Sequence, residues 1–167
     1  MTAPAEADLA AAANRLGEAL LAANWALSSA ESSTAGLIGH AITMVPGASQ
    51  YYRGGVIAYS NLAKSMELGV PEELLATHGA VSAEVAEAMV EGVRSRFDTD
   101  LAVAVTGIAG PDAAGSGKPI GLHFVAACRR GHPATVERFV FTHDREGNKA
   151  AAALAALELA LREIDAA

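Results

Sequence analysis

Cysteine is almost absent: Cys128 stands alone in 167 residues. That excludes an intrachain disulfide and a thiolate-rich metal site, and it fits a reducing compartment. Aromatic residues make up only 5% of the chain, so any core must be aliphatic and rich in alanine. Basic residues are outnumbered, with 12 Lys and Arg against 19 Asp and Glu and a formal charge of −7. This balance excludes a general nucleic-acid binder, whose affinity rests on clustered cations releasing counterions. One small anion is still compatible with it, since a phosphate needs only a helix N-terminus and one or two cations. No apolar run approaches the roughly 18 residues that a membrane span requires. The N-terminal Met1-Thr2-Ala3-Pro4-Ala5-Glu6 also lacks the charged and apolar regions of a signal peptide. The expectation is a cytoplasmic protein with no membrane partner. His40, His78, His123, His132 and His143 show no ligand spacing among themselves, so no metal is expected.

What is present is apolar material, 51% hydrophobic with 19% charged, enough for one core and one domain over residues 1–167. Leu9, Ala12, Ala13, Leu16, Leu20 and Leu21 recur at helical spacing and predict a packing helix over Glu6–Ala23. Trp25–Ser29 reads as a short strand, followed by a turn and a helix carrying Leu37, Ile38, Ala41 and Ile42. Val45-Pro46-Gly47-Ala48-Ser49 is a turn signal before a strand at Gly55–Tyr59. Asn61 is expected to cap a helix that Gly69 closes, Pro71 opens a short helix ending near His78, and Ser82 starts a longer one reaching Phe97. Leu101–Val105 is a continuous apolar run of the kind covered on both faces. Gly121–Cys128 and Ala134–Thr142 read as a hairpin, and a last helix runs from Asp144 to Ile164. Alternating strands and helices with a late hairpin predict a single three-layer α/β/α domain on a mixed, mostly parallel sheet.

Ligands in such sheets bind outside the carboxyl ends of strands. Glu31–Gly36, Tyr59–Lys64 and Thr106–Pro111 all fall at such ends. Ser32 lies in a strand-to-helix turn, where a serine serves as a cap more often than as a nucleophile. A hydroxyl attacks an amide only with help from a base. Lys64 is the candidate, in the first turn of a helix where the dipole disfavours a cation. Serving as a base near pH 7 requires a pKa about three units below its reference, equivalent to roughly 4 kcal/mol. Its bland alternative is a lysine in solvent. Tyr59 is placed either to orient the lysine or to edge the core. Thr106-Gly107-Ile108-Ala109-Gly110-Pro111 offers backbone N–H groups for an oxyanion or a carboxamide, or else is a tight turn. A phosphate loop fails on register, because Pro119 follows Gly117-Lys118. Arg145, near the start of the last helix, is either an anion contact or a surface arginine beside Glu146. Cys128 reads as a core residue.

Six segments then carry a resemblance. Ala30-Glu31-Ser32-Ser33-Thr34-Ala35-Gly36, Val45-Pro46-Gly47-Ala48-Ser49, Gly54-Gly55-Val56-Ile57-Ala58-Tyr59-Ser60-Asn61-Leu62-Ala63-Lys64, His78-Gly79-Ala80-Val81-Ser82, Thr106–Pro111 and Lys118-Pro119-Ile120-Gly121 occur in the order seen in the CinA C-terminal family. The chain resembles that family's stand-alone nicotinamide-nucleotide amidases from about Glu6 to Ile164. The resemblance implies hydrolysis of nicotinamide mononucleotide to nicotinate mononucleotide and ammonia, in pyridine-nucleotide salvage, without a metal or organic cofactor. It implies that Ser32 is the nucleophile, Lys64 its base and Tyr59 an assisting tyrosine. It also implies substrate contacts at Ser33, Thr34, Thr106, Gly107, Ile108, Ala109, Gly110 and Arg145. Relatives often carry cysteine where this chain has Ser33, glycine where it has Ala35, and glycine where it has His143. Ser33 is therefore a rival nucleophile. The rival functions are a non-catalytic nucleotide-binding module and an amidase of a related small amide. The composition is also compatible with a homodimer or higher homo-oligomer.

Overall fold

Helix α1 (Glu6–Ala23) buries the predicted stripe, Leu9, Ala12, Ala13, Leu16 and Leu20, in a computed structural model that describes residues 2–113 and 115–167. Met1, and Ala114 in the loop expected before Lys118, lie outside the described residues. The chain continues through β1 (Leu27–Glu31), α2 (Leu37–Thr43), a 3₁₀ turn at Ala48–Gln50, β2 (Tyr52–Ile57), α3 (Asn61–Leu68), α4 (Glu72–His78) and α5 (Ala83–Phe97). It ends with β3 (Leu101–Gly107), β4 (Leu122–Arg129), β5 (Thr135–Val140) and α6 (Arg145–Asp165).

The strand order is β2-β1-β3-β4-β5. β1 is parallel to β2 and β3, whereas β4 is antiparallel to both β3 and β5. Every strand but β4 therefore points the same way, which is the mixed, mostly parallel sheet expected. Alternation along β3 separates two cores. Leu101, Val103 and Val105 join α1, α2 and α6 on one face, while Ala102 and Ala104 join α3, α4 and α5 on the other. Small alanines on the second face let α5 approach closely, and Cys128 is buried among them.

Several boundaries differ from expectation, among them β5, which spans Thr135–Val140 rather than Ala134–Thr142. β1 begins at Leu27 rather than Trp25 and extends to Glu31, because its parallel pairing with Leu101–Val105 runs through those residues. β2 begins at Tyr52 and ends at Ile57; past it the carbonyls of Ala58 and Tyr59 turn to the Lys64 amine instead of a neighbouring strand. The cap of α3 is Ser60, whose Oγ accepts the Ala63 N–H at 3.1 Å, not Asn61. Ser82 caps α5 as expected.

The chain leaves β1 toward β2 on one side, and the crossover through α3, α4 and α5 returns it to β3 on the other side. The carboxyl ends of β1 and β3 thus diverge, the place where open α/β sheets form their crevices.

Candidate active site

Ser32 follows β1 directly, and its N–H donates to Val105 O at 3.0 Å, extending the pairing with β3 by one residue. The next residues turn sharply. Ala35 and Gly36 take left-handed φ values of 53° and 99°, and α2 then starts at Leu37. At Gly36 a Cβ would also lie 3.2 Å from Ile57 Cδ1.

Lys64 is carried one turn into α3 and points inward. It is 1% exposed, among the largest fully buried side chains of the described residues. Its Nζ lies 2.9 Å from Ser32 Oγ, 2.9 Å from Ala58 O and 3.4 Å from Tyr59 O. Among the described residues it joins no ion pair. Burial without a compensating carboxylate lowers its pKa from 10.5 to about 8. The geometry suits both protonation states. An ammonium donates to all three partners, whereas a neutral amine donates to the two carbonyls and turns its lone pair to the Ser32 hydroxyl. A proton can pass from Ser32 to Lys64 with no side chain moving.

Ser33 Oγ is buried without a hydrogen-bond partner among the described residues, so the lysine meets the hydroxyl of Ser32 and not that of its neighbour. Thr34 turns its hydroxyl back to Glu31 Oε2 at 2.8 Å. Tyr59 meets Lys64 through its carbonyl. Its phenol, in a side chain 62% exposed, instead accepts from Arg145 Nη2 at 3.3 Å. Arg145 Nη1 also donates to Gly110 O, so one guanidinium ties the start of α6 to both the β2–α3 connection and the loop after β3.

That loop is tightly held. Thr106 is fully buried and its Oγ1 donates to Ala80 O at 2.7 Å. Gly107 leaves room for a buried histidine: a Cβ there would sit 2.1 Å from His123 Cδ2. His123 Nδ1 lies 2.9 Å from Gly121 O, and burial pushes its pKa below the ordinary range. The Ile108 N–H is used by Leu122 O, while the amides of Ala109 and Gly110 have no acceptor among the described residues.

Sequence reasoning gave Glu31, Asn148 and Lys118 no role of their own. Asn148 is fully buried, donates to Ala109 O at 3.0 Å and accepts the His143 N–H at 3.0 Å. Lys118 Nζ donates to His78 O at 2.7 Å and Val81 O at 2.6 Å, fixing the segment that Thr106 also holds. Position gave no hint of Asn148; the Lys118-Pro119-Ile120-Gly121 motif did mark Lys118. Among the described residues no three His, Cys, Asp or Glu side chains cluster as metal ligands, and no helix is long and apolar enough to cross a membrane.

A model of the CinA C-terminal domain matches residues 9–164. The chain belongs to the CinA C-terminal domain family. One member of this family, the nicotinamide-nucleotide amidohydrolase PncC of Pseudomonas putida, is 44% identical over 146 residues, covering 87% of this chain and 91% of that protein. A CinA-like protein of Salinibacter ruber is 47% identical over 151 residues, covering 89% of this chain but 36% of the relative. This CinA-family chain thus spans about a third of the length of that curated relative. A CinA superfamily protein of Klebsiella pneumoniae superposes with a TM-score of 0.92 at 31% identity, covering 95% of this chain and 99% of the other. The superfamily protein of Escherichia coli gives 0.89 at 29% identity, covering 96% and 94%.

Proposed function

We propose that this chain is an amidohydrolase that converts nicotinamide mononucleotide to nicotinate mononucleotide and ammonia through a Ser32–Lys64 pair. The observation that carries the reading is the buried Lys64 amine, 2.9 Å from Ser32 Oγ and without a carboxylate partner among the described residues. An amine kept partly neutral near pH 8 is a base matched to a serine hydroxyl. The likeness to PncC along nearly the whole of both chains supports the carboxamide and the nucleotide.

In the first half-reaction the Ser32 Oγ–carbon bond forms while Lys64 takes the hydroxyl proton. The tetrahedral intermediate collapses, the carbon–nitrogen bond breaks, and Lys64 returns the proton to the leaving ammonia. Water then attacks the acyl-enzyme with Lys64 again as base, restoring the Ser32 hydroxyl. Arg145, at the N-terminus of the long helix α6, is the cation that would meet the nucleotide phosphate. Tyr59, whose phenol accepts from Arg145, would line the same side of the nucleotide. No cofactor takes part in these steps.

Incubation with nicotinamide mononucleotide tests the proposal. Ammonia and nicotinate mononucleotide are expected from the wild type, with a loss of at least a hundredfold in Ser32→Ala. Turnover of other small amides in preference to the nucleotide would replace the substrate but keep the chemistry. Binding of the nucleotide without turnover would replace the enzyme with a binding module.

A further inference from the structure

Glu31 is 2% exposed and has no part in the steps above, yet among the described residues every hydrogen bond its side chain makes returns to the turn that carries Ser32 or to the first turn of α2. Oε2 accepts the Thr34 hydroxyl at 2.8 Å, the Gly36 N–H at 2.9 Å and the Ile38 N–H at 3.1 Å. Oε1 accepts the Gly39 N–H at 2.9 Å. The carboxylate therefore closes the N-terminus of α2 from inside and holds in place a turn with two successive left-handed residues, Ala35 and Gly36. A free anion cannot use that helix end.

The same turn leaves backbone donors unspent. The Ser32 amide is taken by Val105 O, but those of Ser33, Thr34 and Ala35 have no acceptor among the described residues. The amide of the residue after a nucleophilic serine is where α/β hydrolases place an oxyanion donor. Ser33 and Thr34 are buried in this turn, and free donors there are held open only if something else sets the conformation, which here is Glu31.

We propose that Glu31 is a positioning residue, which fixes the turn so that the free amides after Ser32, first that of Ser33, receive the oxyanion formed during acylation. The proposal rests on Ser32 being the nucleophile, as in the function proposed above. When the Ser32 Oγ–carbon bond forms, the carbonyl π pair moves onto oxygen and Lys64 takes the proton. The Ser33 N–H then donates to that oxygen. A carboxylate suits the task because all of its contacts here come from donors. A glutamine would turn its NH₂ group toward one of them and lose that contact.

A fluorophosphonate probe tests this without reference to the natural substrate. Its phosphorus bonds to Ser32 Oγ, fluoride leaves, the serine proton passes to Lys64, and the phosphoryl oxygen takes the oxyanion position. Labelling rates per folded molecule are compared with melting curves and with KM for nicotinamide mononucleotide. Glu31→Gln is expected to label roughly 10 to 100 times more slowly, with KM little changed and the pH midpoint of labelling unmoved. Thr34→Val removes one of the contacts and is expected to show a smaller loss in the same direction. An ester in place of the Ser32–Ser33 amide removes the donor itself and should slow labelling about 10² to 10³-fold. Glu31→Gln labelled at the wild-type rate per folded molecule would overturn the proposal, and so would an unimpaired ester variant. If Glu31→Gln does not fold, Thr34→Val and the ester decide. A wild type that labels on Ser32 but releases no ammonia from the nucleotide would refute the substrate reading alone. A wild type that does not label on Ser32 would overturn both.

Discussion

Replacing Lys64 by methionine separates stability from activity. The side chain keeps its length and apolar volume but loses the amine. At neutral pH, holding the amine where burial lowers its pKa from 10.5 to about 8 costs roughly 3 kcal/mol, and methionine removes that cost. In return, Ala58 O loses the Nζ at 2.9 Å, and an unsatisfied buried acceptor costs about 1–3 kcal/mol. The two effects nearly offset, so Lys64→Met is expected to unfold in urea within about 2 kcal/mol of the wild type. Activity behaves differently, because Ser32 loses its base, and ammonia release should fall by about 10² to 10⁴. A variant that keeps more than a tenth of wild-type activity would refute the base assignment. One that loses more than about 4 kcal/mol would make Lys64 a structural anchor instead.

The pH dependence follows from the same group. kcat/KM should rise about tenfold per unit below pH 8 and level off above it, as the amine becomes neutral; a profile flat from pH 6 to 9 would contradict this. Because the folded pKa lies below the unfolded value, the unfolded chain binds more protons between about 8 and 10.5. The Lys64 contribution to stability therefore improves as pH rises through that window, and Lys64→Met should flatten the slope there. Ala35 is exposed with φ 53°, a conformation that costs an L-residue roughly 1–2 kcal/mol; part of that returns as glycine's greater unfolded entropy. Ala35→Gly should thus be neutral to about 1 kcal/mol more stable by urea unfolding, and a loss above 1 kcal/mol would count against it. Thr106→Val strips the donor from Ala80 O and should cost about 1–3 kcal/mol in the same measurement. Tyr59→Phe should lower kcat by less than tenfold, since the phenol bonds Arg145 and not the lysine.

Much of this arrangement is written in the sequence. The order of elements follows from the apolar stripe of α1, the continuous run of β3 and the turn signals between them, because burial on one or both faces leaves a periodic trace. Strand ends are less legible: Trp25 and Leu27 are both apolar, and only pairing with β3 decides where β1 starts. The cap of α3 falls one residue from the expected Asn61 because Ser60 and Asn61 are both good caps, and the choice depends on backbone direction. Lys64 is visible as a cation at the wrong end of a helix, and its burial confirms the oddity. Glu31 is not visible. An acidic residue at a strand end looks the same whether it faces water or accepts hydrogen bonds from the following turn, and only the folded turn brings its donors together. Asn148 escapes for the same reason, its partners lying in the loop after β3 and just before α6.

The covalent adduct formed during turnover of nicotinamide mononucleotide tests the account most directly. Acid quenching followed by tandem mass spectrometry should place an acyl group on Ser32 in the wild type, with its rate of formation half-maximal near pH 8 and level above it, and none in Lys64→Met. An adduct on Ser33, or an acyl group on Ser32 that forms equally fast without Lys64, would contradict it.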